Sequence, residues 1–111
     1  MGCVALCALS DENPRNDTLI TNNSGIPVIL SAMALHTNEA NVQKSACVVL
    51  RKISSRNGDN RDVIRQEKGI TQIVIAMHQH QRSADVLEEA CAALNNLSIN
   101  NDVNKNEILN A

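Results

Sequence analysis

The sequence predicts an all-α fold assembled from three-helix repeats stacked as a solenoid. Three observations carry that prediction: a fixed internal period, apolar residues at steps of three and four, and no period-two alternation over a strand length. The period is 44 residues. Cys3, Cys47 and Cys91 share it, as do Leu6, Leu50 and Leu94, the serines 10, 54 and 98, the asparagines 16, 60 and 104, and the isoleucines 20, 64 and 108. Gly25 likewise matches Gly69, Ile29 matches Ile73, Met33 matches Met77, His36 matches His80 and Ala46 matches Ala90, all without a gap.

The register divides the chain into the end of one unit (1–10), two full units (11–54 and 55–98) and the start of another (99–111). Each unit reads as three helices. The longest spans about Glu39 to Ile53, where Val42, Ala46, Val49, Leu50 and Ile53 line one face; Val86, Ala90, Ala93, Leu94 and Leu97 repeat the pattern. A helix of about three turns precedes it, Ile26 to Leu35, with Ile29, Leu30 and Met33 inward and Pro27 in the first turn, where no intrahelical N–H bond is lost. Ile70 to Gln79 is its copy. Shorter helices fall near Asn16 to Thr21 and Asn60 to Arg65, with Gly25 and Gly69 expected to end them in the left-handed conformation, and Asn38 and Ser83 expected to cap the long helices.

Composition narrows the function. The chain of 111 residues holds no Phe, Tyr or Trp, so bases have no aromatic platform to stack on. Ten basic residues against twelve acidic ones leave no field to attract phosphate or an anionic membrane. Nucleic acid and membrane are therefore not expected partners. No apolar run is long enough to span a bilayer, and MGCVALCALS lacks a basic start and a small-residue cleavage site, so the expected compartment is intracellular, cytoplasm or nucleus. Reduced cysteines follow from that compartment, and the sequons at Asn16, Asn22 and Asn96 are coincidental in it. MGCVAL approaches a myristoylation signal but has Leu6 where the motif wants Ser or Thr, and Gly2 and Cys3 are already accounted for as repeat positions.

The segments GIPVILSAMALHTNEANVQKSACVVLRKIS and GITQIVIAMHQHQRSADVLEEACAALNNLS resemble armadillo repeats: a Gly-Ile start to the second helix, a polar link, then a long third helix ending in an apolar run and a serine. The resemblance covers the whole chain and implies a right-handed α-solenoid. It also implies function, since third helices in that family line a groove that receives an extended segment of a partner protein. The family's peptide-holding pair is a Trp with an Asn one turn later. Carried onto this sequence, the Trp place falls on Val4, Val48 and Ala92 and the Asn place on Ala8, Lys52 and Asn96, so that Asn96 alone fits. A groove that holds basic peptides between stacked Trp side chains is not expected.

The remaining groove positions are the outer stripe of each long helix. They are Lys44, Ser45, Val48 and Lys52 in one unit, with Asn41 beside them, and Asp85, Glu88, Glu89, Ala92 and Asn96 in the next. A basic band thus adjoins an acidic one, which would orient a partner of complementary charge. No cofactor, metal or catalytic residue is expected. Cys3, Cys47 and Cys91 belong to successive layers roughly 10 Å apart and cannot converge on one zinc ion, while His78 and His80 lie two apart on a helix and point away from each other. His36 and His80 instead close their helices, complementing the negative dipole end. No nucleophile, base and orienter assemble, so the chain is not expected to be an enzyme.

Protein interaction is the favoured function, with a structural spacer or oligomerisation element of a longer array as the alternative. Units of this kind bury their apolar faces only against neighbours. VALCAL at the start has no preceding neighbour, and Ile108 and Leu109 at the finish await the rest of a unit, so the native protein is expected to be longer, and this segment by itself to be marginally stable or to undergo end-to-end self-association.

Overall fold

The computed structural model describes residues 25–55 and 58–111, and everything structural below concerns those residues. They form six α-helices and no strand: α1 (Gly25–Leu35), α2 (Ala40–Ser54), α3 (Gly58–Gln66), α4 (Gly69–Gln79), α5 (Ala84–Ser98) and α6 (Asp102–Asn110). The expected first helix near Asn16 to Thr21 lies outside the described residues. Helices 44 residues apart pack on each other, α1 against α4 and, most extensively, α2 against α5; α3 lies against α2, α4 and α5, and α6 against α5 and α3.

Apolar spacing decides which faces meet. Ile26, Ile29, Leu30 and Met33 of α1, Ala46, Val49, Leu50 and Ile53 of α2, Ile64 of α3, Ile70, Ile73 and Ala76 of α4, and Val86, Ala90, Ala93 and Leu97 of α5 form one continuous buried cluster. Aliphatic side chains fill most of it, with Met33 and Cys47 adding sulfur, and each large one removed from water contributes about 1.5–3 kcal/mol.

Buried amides fasten the helix ends. A helix leaves its last carbonyls without intrahelical donors. Asn60 Nδ2 donates to the Ile53 carbonyl at 2.8 Å, and its repeat counterpart Asn104 donates to the Leu97 carbonyl at the same 2.8 Å. Gln43 Nε2 serves the end of α1 in the same way, reaching the Met33 carbonyl at 3.1 Å and the His36 carbonyl at 2.8 Å. Arg61 gathers three more carbonyls, those of Ser54, Ser55 and Ile99, and so ties the end of α2 to the link between α5 and α6.

Two local expectations change. Ser83 does cap α5, its Oγ accepting from Val86 N, but the N-cap of α2 is Glu39, one residue beyond Asn38. The register explains this, because Glu39 stands 44 residues before Ser83 and shares its extended backbone; its carboxylate caps no amide and is paired with His36 instead. The left-handed residue between α3 and α4 is Lys68 (φ 68°), and no described glycine has positive φ. Gly69 is required for space: a Cβ there would stand 2.7 Å from the Ile64 carbonyl oxygen and against the Ile64 side chain.

Candidate functional site

The outer stripes of α2 and α5 come together as one strip. Helical spacing puts Asn41, Lys44, Ser45, Val48 and Lys52 along one side of α2, and Asp85, Glu88, Glu89, Ala92 and Asn96 along the same side of α5. The α2–α5 packing lays these stripes next to each other. Asn41, Lys44, Asp85 and Glu88 are exposed, while Ser45, Val48, Lys52, Glu89, Ala92 and Asn96 are half-buried.

Much of the charge in this strip is matched within the molecule. Lys44 Nζ stands 3.6 Å from Asp85 Oδ2, and Arg51 Nε donates to Glu89 Oε1 at 2.8 Å. The two bands that alternate in the sequence therefore meet each other across the α2–α5 boundary. Such a pair contributes only about 0–1 kcal/mol when exposed. Lys52 also makes an interaction of its own. Glu88 is exposed and has no ion-pair partner among the described residues.

Asn96 has a specific place. Its Nδ2 donates to the Arg51 carbonyl at 2.9 Å, across the same boundary, so one of the two amide protons is engaged in joining α5 to α2. Val4 and Ala8 lie outside the described residues. The strip thus offers two small apolar positions, Val48 and Ala92, bordered by Asn41, Lys44, Asp85 and Glu88.

The cysteines and histidines take other positions. Cys47 is fully buried, and burial pushes its thiol up to about 12, the Glu89 carboxylate adding in the same direction. Cys91, its repeat counterpart, is exposed. Cys3 and Cys7 lie outside the described residues. His80 closes α4, as expected, and its Nε2 hydrogen-bonds the Thr37 carbonyl at 2.7 Å, linking the two inter-helix turns. His78 is exposed beside a shallow hollow of about 600 Å³ at the α4–α5 turn. Among the described residues no group of three or more His, Cys, Asp or Glu is placed to hold a metal ion, and no helix is long and apolar enough to cross a membrane.

A second hollow, of about 340 Å³, opens between α5 and α6, lined by Cys91, Leu94, Ser98, Ile108 and Leu109 with Asn95 and Lys105 at its rim. Single-sequence reading pointed to Ile108 and Leu109 as unsatisfied but gave no shape. The interface-joining roles of Arg51, Asn96 and Asn104 were also missed; the 44-residue recurrence of a polar residue at 16, 60 and 104, inside an otherwise apolar register, was the signal for the last of these. Comparison of the chain with protein-family models, curated proteins and solved structures finds no match.

Proposed function

We propose that this chain is a protein-interaction module of armadillo type, whose long third helices present the strip along α2 and α5 to an extended segment of a partner protein. The observation that carries the reading is the adjacency of the two equivalent stripes: Val48 and Ala92 supply low apolar relief, and polar side chains of both signs border them. A partner backbone running across the helices would meet a low apolar position twice, 44 residues apart in this chain, with lysines beside the first and carboxylates beside the second. Glu88 and Asp85 give one side of the strip an acidic edge, suited to a basic residue in the partner. Contacts of this kind set orientation and association rate more than affinity. The chemistry expected of the site is binding without catalysis, cofactor or metal, inside the cell.

One observation favours a second reading, in which the same helices are structural spacers of a repeat array. Arg51, Glu89 and Asn96 all spend their polar groups between α2 and α5. A displayed library of extended peptides, selected against the full chain, separates the two readings. On the binding reading, selected peptides lose affinity when Lys44→Glu and Glu88→Lys are combined and keep it when the exposed Ala34 and Gln79 of the neighbouring helices are changed. Selection of no peptide, or of peptides sensitive to Ala34 and Gln79 alone, supports the spacer.

A further inference from the structure

We infer that the strip along α2 and α5 selects an extended partner segment bearing both signs of charge, with its carboxylate over α2 and its cation over α5. The inference rests on the binding role proposed above for the same strip, and adds the order in which the charges must come. Ionisable groups on the α2 stripe are all basic, Lys44 and Lys52, and those on the α5 stripe are all acidic, Asp85, Glu88 and Glu89. They are not equally open to a partner. Glu89 is held at 2.8 Å by Arg51, and both of those side chains are half-buried. Lys44 and Asp85 differ, because they stand 3.6 Å apart with side chains 45% and 71% exposed, so each keeps a water-facing side on which a second charge can settle. Glu88 is exposed as well. Its repeat position stays open under a stacked layer, since Lys44, one period earlier, lies beneath α5 and remains exposed.

Placing a partner carboxylate at Lys44 and a partner cation between Asp85 and Glu88 extends the Lys44–Asp85 pair into a row of alternating sign. Each group then has opposite charges beside it, and the internal pair is kept. The reverse order sets the partner's cation against Lys44 and its carboxylate against two carboxylates. A uniformly basic segment is drawn to α5 but repelled over α2, and a uniformly acidic one meets the converse. Repulsion of wrong segments therefore contributes as much to the selection as attraction of the right one. Val48 lies one turn past Lys44, and Ala92 one turn past Glu88. Both side chains are short, so the segment's backbone can approach the helices and charge is what tells one occupant from another.

The test is selection of a displayed random-peptide library against the full chain and, separately, against a charge-swapped variant, Lys44→Glu with Asp85→Lys and Glu88→Lys. That variant keeps the ion pair between α2 and α5 with its signs exchanged, and circular dichroism checks its folding. Peptides selected on the unaltered chain are expected to share one acidic and one basic residue at a fixed separation and in a fixed order. Exchanging those two residues within a peptide, or giving both the same sign, should weaken its binding to the unaltered chain at least about tenfold. The swapped variant should select the opposite order and bind the exchanged peptides. Measurements with exchanged peptides on the unaltered chain decide the matter whatever the variant's stability. Selected peptides of one uniform charge, peptides indifferent to the exchange, or the same order from both folded chains would overturn the charge order and leave a binding strip in place. Selection of no peptide by the unaltered chain would remove the binding reading, and this inference with it.

Discussion

The α2–α3 region and the α5–α6 region carry a cysteine, a leucine, a serine and an isoleucine at equivalent positions of the same register, yet one set is interior and the other lies at the surface. Cys47, Leu50, Ser54 and Ile64 are fully buried, whereas Cys91 is exposed and Leu94, Ser98 and Ile108 are half-buried. Residue type and helix face are equal at these four pairs of positions. The difference lies in what stacks above: α4 and α5 cover the first region, and no described helix covers the second. In a repeat protein, burial, and with it stability and reactivity, belongs to the position in the stack as much as to the residue.

The largest effect expected of this comparison is on core truncation. Leu50→Ala should cost about 2–5 kcal/mol, because neighbours on every side hold the cavity open. Leu94→Ala, at the equivalent place, should cost less than half as much, since solvent fills the space. Denaturant unfolding of the two variants measures both. Equal losses would show that the open end is as tightly packed as the interior.

The buried amides come next. Asn60→Ala leaves the Ile53 carbonyl without its donor and should cost about 1–3 kcal/mol by the same measurement. Asn104→Ala removes the bond to the Leu97 carbonyl and a weaker one at 3.2 Å to the Arg61 carbonyl, which joins α6 to α3. Its effect should be of the same size, but accompanied by local release of α6, visible as faster amide exchange in residues 102–110. Uniform exchange changes throughout the chain would argue against that linkage.

Alkaline stability sharpens the contrast in another way. The Cys47 thiol is held protonated up to about 12 in the folded chain against 9.0 for an ordinary thiol, so between those values the unfolded chain has lost a proton that the folded chain keeps. Stability contributed by this group is therefore fully present below pH 9 and falls as pH rises towards 12, by up to about 1.4 kcal/mol per pH unit. Cys47→Ala should flatten that part of the profile. The smallest effect belongs to the strip: Arg51→Ala should destabilise by about 1 kcal/mol or less, as partly exposed ion pairs do.

Helix positions were legible in the sequence because apolar spacing and the 44-residue register point the same way. Ile29, Met33, Ala46, Val49, Leu50 and Ile53, all read as inward, are all buried. The details that escaped depend on distance between helices. That Gly69 serves close approach to Ile64 follows only once α3 and α4 have met, and Lys68 in the left-handed conformation follows from that turn. The Glu39 cap follows from register, where propensity favours Asn38. For the strip, the sequence supplied its residues and charges. It did not supply the offset between layers that sets Arg51 against Glu89, or the contact that gives Asn96 to the Arg51 carbonyl.

The most direct test of position-dependent burial is a thiol-labelling rate measured at Cys47 and Cys91 in one native sample, dilute enough to hold single chains. The two cysteines share a repeat position, a helix type and a preceding alanine, so repeat position alone does not separate them. Stacking predicts that Cys91 labels at nearly the rate of an unfolded peptide, while Cys47 labels only through unfolding and is slower by several orders of magnitude, as native-state protection requires. Equal rates at the two sites, in a sample shown to be folded, would contradict the account.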